Sequence, residues 1–436
     1  MKTSKAYIFT VLLLSAIFVI SCKKEKKSDV FPEISFYAPA GGSVFNMFDS
    51  IYVSAYVSDG SGLESVTVGL TTLSGVPVQQ NAVYHPTGTS LEIGFKYELY
   101  EYRLTSGYYS LLITAGNGSN TSLKQQVIYI NASPVIKKGY YLFSDNGSLT
   151  TFTKFDTAFA NPGIKTISGK YTGSAISSYN QRLYVAGGAY QNFQAYDVGT
   201  GTVKWNIQNL GGGSPYFSSC EGDGMNVILG YNNGQLKRYN QDGTTITNMV
   251  YPNNDYYCEY GAVQASNYVA YMQSRSSSNK KLVVFNAYGA AAMESPITFK
   301  PLGIFERSTT DAYVVGNDNS NQAQLTIFNV NAGGLQSPLN LPSGSLLSAC
   351  KVDSNTLLIG HSDGNIYKYQ YSSNNLIAIQ SGITANRMKY DSGENLVYIS
   401  SAKQFNAYAL GSFSLSPVKT FTHSDTIRDF HVIYNK

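Results

Sequence analysis

Apolar and polar residues alternate along the first part of the chain. In Ser50-Ile51-Tyr52-Val53-Ser54-Ala55-Tyr56-Val57 every second side chain from Ile51 is apolar, the pattern of a half-buried strand. Ser58-Asp59-Gly60-Ser61-Gly62 then reads as a turn, because Asp, Ser and Gly supply local hydrogen bonds and positive φ. Val66, Val68 and Leu70 mark the next strand. Leu91, Ile93 and Phe95, then Tyr109, Leu111 and Ile113, then Val127 and Tyr129 mark others. With Pro32–Tyr37 and Val76–Val83, the pattern predicts roughly seven short strands over residues 30–133.

Beyond residue 134 the pattern changes. Short runs are apolar at consecutive positions: Tyr140–Phe143, Leu183–Val185, Val227–Leu229, Tyr268–Tyr271, Ala312–Val315, Leu357–Ile359 and Leu396–Ile399. After each run and a polar turn comes an apolar residue followed three positions later by an aromatic. The pairs are Leu149/Phe152, Phe193/Tyr196, Leu236/Tyr239, Leu282/Phe285, Leu325/Phe328, Ile366/Tyr369 and Phe405/Tyr408. The aromatics stand 44, 43, 46, 43, 41 and 39 residues apart. Asn146-Gly147, Asn233-Gly234 and Asp363-Gly364 fall in the turns, and such dipeptides suit type I′ hairpins. A period of about 40–45 residues with several short strands per unit predicts a β-propeller. Residues 138–152 and 409–436 together make one repeat length. The run Asp425–Tyr434 is therefore expected to supply the innermost strand of the blade that begins at Gly139, closing seven blades. The fold class expected is all-β: an Ig-like sandwich followed by a seven-bladed β-propeller.

Several segments resemble known families. Leu104-Thr105-Ser106-Gly107-Tyr108-Tyr109 resembles the L-x-x-G-x-Y segment of bacterial Ig-like and fibronectin-like modules. That resemblance implies a tyrosine whose hydroxyl bonds backward to the chain. Ala195-Tyr196-Asp197-Val198-Gly199-Thr200-Gly201-Thr202-Val203-Lys204-Trp205 resembles the repeat unit of quinoprotein-like propellers, whose Trp docks one blade on the next. Trp205 is the one Trp of the chain, so this unit is not repeated. His361-Ser362-Asp363-Gly364-Asn365-Ile366-Tyr367 is similar to WD-repeat-like and YVTN-type blades.

The amino terminus reads as an export signal. Lys2 and Lys5 precede an apolar run of 15 residues, Ala6–Ile20, short of the ~20 needed to span a bilayer. Val19-Ile20-Ser21-Cys22 resembles the lipobox of bacterial lipoproteins, which implies cleavage before Cys22 and acylation of its thiol and amine. More than one acyl chain anchors a protein stably. Residues 22–29, with Lys23, Lys24, Glu25, Lys26, Lys27 and Asp29, read as a charged tether and resemble the export tethers of Bacteroidetes surface lipoproteins. Residues 1–21 are thus expected to be a signal peptide, 22–29 a tether, 30–133 the sandwich and 134–436 the propeller. The location implied is the outer membrane, lipid-anchored, on the periplasmic side or the cell surface.

Charge then narrows the function. The net +4 is carried by residues 1–29; residues 30–436 hold 25 basic and 25 acidic side chains. A balanced folded part argues against nucleic acid. Only 13% of residues are charged, against about 25% in ordinary domains. No HExxH, G-x-S-x-G, P-loop or CxxC motif occurs. Gly211-Gly212-Gly213 lacks the strand-to-helix setting of a phosphate cradle. No cofactor and no metal site is expected, and Asp59 reads as a turn aspartate. Cys220 and Cys350 each lie 19 residues before a repeat aromatic. They read as equivalent thiols on inner strands, with a Cys220–Cys258 bridge as the other possibility. No catalytic residue is assigned. Candidate binding residues are the charged and aromatic side chains expected in loops leading into inner strands: Tyr256, Tyr257, Glu259, Tyr260, Glu306, Arg307, Arg387, Lys389, Arg428 and Asp429. Two functions remain open: a binding or scaffolding lipoprotein that engages an envelope protein or glycan, and a cell-surface enzyme acting on polysaccharide or peptide.

Overall fold

The computed structural model describes residues 30–188, 191–212, 215–336, 339 and 341–436. The expected leader, tether and Cys22 lie outside the described residues, as does Gly213. The chain divides after Pro134 into two compact units, and every regular element named among the described residues is a strand.

The first unit forms a three-stranded sheet (Glu33–Ala38, Ser50–Ser58, Ser90–Glu98) and a five-stranded one (Val44–Asn46, Thr121–Asn131, Gly107–Gly116, Ser65–Thr72, Ala82–Tyr84). Both sheets feed one core: Ile51, Val53, Ala55 and Val57 from the first meet Val66, Val68, Leu111, Ile113 and Ile128 from the second. Alternation is the cause, since neighbouring side chains on a strand point to opposite faces. Eight strands form where about seven are expected. Much of Val76–Val83 stays outside the ladders; Pro77 makes an isolated bridge to Thr71, and pairing resumes at Ala82. Tyr109 donates its hydroxyl to the Thr105 carbonyl at 2.8 Å, clamping the start of its strand.

Among the described residues the second unit holds seven small antiparallel sheets in succession, six of four strands and one of three. Each apolar-x-x-aromatic pair lies on the strand one removed from the inner pair, such as Phe193–Asp197, Gln235–Tyr239 and Ile366–Gln370. Seven apolar clusters each span two successive sheets. Tyr184, Phe193, Phe217 and Tyr231 join the second and third. Leu282, Phe299, Ile304 and Phe328 join the fourth and fifth. Tyr140, Tyr398, Phe405 and Phe430 join the seventh back to the first. The cycle closes because Ile427–Tyr434 pairs antiparallel with Lys137–Asp145, with Ile433 opposite Gly139. Trp205, on the outer strand of the second sheet, donates Nε1–H to the Gln241 carbonyl of the third at 2.8 Å. It lies on Gly243, whose φ of +82° and missing side chain make room for the indole.

The hairpin turns differ from expectation. Gly147, Gly234 and Gly364 have positive φ, but Asn146, Asn233 and Asp363 do not, so the turns are not type I′. Asn146 and Asp363 instead accept backbone N–H groups through their side chains, and the glycine alone takes the left-handed position.

Candidate functional site: the channel of the second unit

One strand of each sheet borders a central channel: Tyr171–Ser177, Phe217–Gly222, Tyr256–Gln264, Phe299–Glu306, Leu346–Lys351, Arg387–Asp391 and Ile427–Tyr434. Cys220, Cys350 and Met388 turn into the apolar clusters between sheets. Their successors Glu221, Lys351 and Lys389 turn into a cavity of about 490 Å³. Tyr171, Glu259, Tyr260, Lys300, Arg387 and Asp429 line the same space.

The most connected group is Asp429. It accepts from Lys389 Nζ at 3.0 Å and from the Tyr171 hydroxyl at 2.7 Å. Burial alone would raise its pKa; Lys389, His431, the Tyr171 hydroxyl and Arg387 overcome that and hold the carboxyl well below the usual carboxylate range. Glu221 shows the reverse balance. Burial and then the Asp429 charge push it up to about 8, against the pull of Lys389 and Arg387. At neutral pH Glu221 is therefore mostly protonated.

His431 touches Ser174, with Nε2 at 2.8 Å from Oγ. On the other side of the ring, Lys389 Nζ is 3.2 Å from Nδ1. An ammonium only donates, so Nδ1 accepts and the ring proton of the neutral imidazole sits on Nε2. Nε2–H then donates to Ser174 Oγ, the serine hydroxyl to Tyr171 at 2.7 Å, and Tyr171 to Asp429. A general base needs the opposite polarity at Nε2. Burial and Lys389 also press His431 down to about 3. The contact secures three inner strands together and does not activate Ser174.

The expected binding residues separate. Glu259, Tyr260, Arg387, Lys389 and Asp429 meet at the cavity. Glu259 is ion-paired to Lys300 at 2.7 Å. Tyr257 donates to Glu259 at 3.1 Å and lies under Arg275. Tyr256 is buried between the third and fourth sheets, with Lys281 over its ring at 4.1 Å. Arg428 is half exposed and pairs with Asp145 at 3.1 Å. Glu306 and Arg307 do not precede an inner strand: Glu306 ends one and Arg307 follows it. Inner strands run side by side in the same sense, as Lys351 reaching the Glu306 carbonyl and Lys389 reaching the Phe430 carbonyl show. Glu306 and Arg307 thus lie toward the opposite end from Tyr256, Arg387 and Arg428. Arg307 is taken up by Asp311 and by the Tyr371 ring at 4.0 Å. Glu306 lines a second cavity of about 370 Å³ together with Glu221, Tyr260 and Lys351.

Glu221, Lys351, Lys300, Tyr171 and Ser174 were not singled out from the sequence. The expected equivalence of Cys220 and Cys350 does not hold: Cys220 lies opposite Leu229 where Val227 faces the repeat aromatic Tyr239, and Cys350 lies opposite Leu358 where Leu357 faces Tyr369, so the thiols face opposite sides of their sheets, Cys220 toward the second sheet and Cys350 toward the seventh. The thiols themselves are free and buried. Burial pushes Cys258 and Cys350 up to about 12, and Cys220 well above the ordinary thiol value, so they are unreactive. Among the described residues no group of three His, Cys, Asp or Glu is placed to hold a metal.

No family model and no curated protein matches the chain. Similar solved structures include a quinoprotein alcohol dehydrogenase-like protein from Bacteroides thetaiotaomicron, 11% identical, covering 92% of this chain and 97% of that one, with a TM-score of 0.47. Hydrazine synthase from Kuenenia stuttgartiensis is 11% identical over 66% of this chain and 97% of that one, with a TM-score of 0.49. The Cps50 β-propeller domain of Myceliophteria thermophila is 11% identical over 64% of this chain and 100% of that one, with a TM-score of 0.45. At such identities likeness concerns architecture alone: this is an all-β chain of many small antiparallel sheets with β-propellers among its structural neighbours.

Proposed function

We propose that this chain is a membrane-anchored extracytoplasmic lipoprotein. Its seven successive sheets act as a seven-bladed propeller that serves as a non-enzymatic binding or scaffolding module, preceded by an Ig-like sandwich. The observation that carries the binding reading is the channel itself. Polar side chains from all seven inner strands converge there, while the Ser174–His431 contact is polarised against nucleophile activation. The Tyr109–Thr105 hydrogen bond supports the Ig-like reading of the first unit. The anchor rests on Val19-Ile20-Ser21-Cys22.

Residues 30–436, immobilised, should capture one envelope protein or glycan saturably from a detergent extract of the envelope. Turnover of a cell-surface polysaccharide or peptide that Ser174→Ala abolishes would overturn the binding reading in favour of an enzyme. For the anchor, Cys22→Ala should shift the protein from the membrane to the soluble fraction. Full membrane retention, with no lipid on the mature amino terminus by mass spectrometry, rejects it.

A further inference from the structure

Taken whole, residues 30–436 carry equal numbers of bases and acids. Inside it the balance fails. Lys300, Lys351, Arg387 and Lys389 face Glu221, Glu259 and Asp429. Two of these cations are spent. Lys389 serves Asp429, the Phe430 carbonyl and His431, and Lys300 serves Glu259. The other two hold donors in reserve. Lys351 donates to the Glu306 carbonyl. Arg387 is exposed and gives one N–H to the Asn386 carbonyl at 3.0 Å. Among the described residues no acid forms an ion pair with either.

Building on the binding-module reading, we infer that the channel binds a small anionic solute through its carboxylate or phosphoryl oxygens, with Arg387 as the recognising side chain. The cavity of about 490 Å³ lies within the roughly 300–1,000 Å³ range of ligand pockets. A guanidinium offers two parallel N–H donors to a carboxylate or phosphate, which a carbonyl from its own backbone does not use up. Lys351, on the neighbouring inner strand, bonds the Glu306 carbonyl toward the other end of the channel and adds positive charge at longer range. The charges of Glu259 and Asp429 are matched by Lys300 and Lys389, and Glu306 lies with Lys351 toward the other end, so an anion arriving at Arg387 meets a net positive field.

Glu221 sets how that field changes with pH. Around it stand Asp429 from the terminal strand, Arg387 and Lys389 from the seventh sheet, Tyr171 from the second and Cys220 on its own strand. Tyr260 and Glu259 face it from the fourth sheet, Lys300 and Glu306 from the fifth, and Lys351 from the sixth. Burial holds Tyr171 and Tyr260 far above their ordinary values, so both stay neutral. Below about pH 8 Glu221 is a neutral donor beside the anion; above it Glu221 is itself an anion and cancels one cation. At an effective dielectric near 20 and a separation of several ångström, one added charge costs an incoming anion about tenfold or more in affinity.

The test is calorimetric titration of the full chain with D-galacturonate, with inorganic phosphate and, as a neutral control, with D-glucose. One saturable site for galacturonate or phosphate and none for glucose is expected. Galacturonate alone identifies a carboxylate ligand; phosphate alone identifies a phosphoryl ligand. Arg387→Gln, at an exposed position, should keep the same unfolding temperature and lose at least tenfold in affinity. Galacturonate stays ionised throughout, so for a galacturonate site affinity should fall about tenfold from pH 6.5 to pH 9, and Glu221→Gln should abolish that fall. The inference is overturned if neither anion binds, if Arg387→Gln binds like the parent, or if Glu221→Gln keeps the pH dependence. Capture of an envelope partner that Arg387→Gln leaves intact, with no anion bound, would sink this inference and spare the binding-module reading. Ser174-dependent turnover would do the reverse.

Discussion

The two units use the same element in two ways. In the first, each sheet has one dry face: Ile51, Val53, Ala55 and Val57 are fully buried, while Tyr52 and Tyr56 between them are exposed. In the second, the inner sheets are dry on both faces. Tyr140, Tyr141, Leu142 and Phe143 are all buried; Tyr140 and Leu142 pack toward the seventh sheet, Tyr141 and Phe143 toward the second. Hydrophobic period thus reports how many faces of a strand are covered. The difference also separates two kinds of cohesion. The first unit owns one core, whereas among the described residues the second unit shares its cohesion among seven interfaces, each needing two sheets.

Removing residues 425–436 tests that contrast most severely. It takes the inner strand from the first sheet and Phe430 and Ile433 from two clusters. The second unit should lose its cooperative calorimetric transition while the transition of the first unit remains. Loss of both transitions would show that the units do not fold independently.

Single truncations should be specific to their unit. Phe430 packs edge-on to Phe405 at 4.9 Å, and Phe430→Ala should cost the second unit about 3–5 kcal/mol by the cavity it leaves. Leu111→Ala in the core of the first unit should cost about 2–5 kcal/mol and move only the first transition. Denaturant titration with separate probes for each unit reads both.

A smaller effect comes from the polar channel of the second unit. Glu221 has a raised pKa when folded, so above its ordinary value of 4.5 the folded state holds a proton that the unfolded chain has lost. Its contribution therefore falls as pH rises toward about 8. His431, held neutral down to about 3, acts oppositely, but only below its ordinary 6.5. Asp429 costs stability only when acid protonates it. Between pH 6.5 and 8 the Glu221 slope stands alone among the three, and the second unit should lose on the order of 2 kcal/mol. Glu221→Gln should flatten that slope; an unchanged slope by thermal melts across the window would refute the assignment.

The smallest expected change is Tyr109→Phe, which removes the hydroxyl that reaches Thr105. It should cost the first unit about 0.5–1.5 kcal/mol and leave the second untouched. An equal shift in both transitions would mean that the effect of the hydrogen bond is not local to the first unit.

The sheets and their repeat were legible in the chain because each is a local property. Leu236 and Tyr239, or Ile366 and Tyr369, lie close enough in sequence for strand period and turn chemistry to expose them. The turn type was not legible, because Asn146 and Asp363 satisfied the backbone with their side chains instead of taking positive φ. The candidate site was half legible. Arg387, Lys389 and Asp429 stood out as charges in a charge-poor chain. Tyr256, as one of a tyrosine cluster, and Arg307, as a charge, stood out too and are taken up by Lys281, Asp311 and Tyr371. Composition cannot distinguish a charged or aromatic residue that faces a cavity from one already partnered.

By itself, then, the sequence determined the all-β character, the repeat and the balance of charge, since period, turn residues and composition are written residue by residue. The tertiary structure alone decided which polar groups meet. Tyr171 and Asp429 are 258 residues apart and hydrogen-bonded. Ser174 and His431 are 257 apart and in contact. Those meetings exist only because the terminal strand returns to the first sheet. The protonation of Glu221 and the polarity of His431 follow from the same closure, because both depend on burial and on charges that no stretch of sequence brings together.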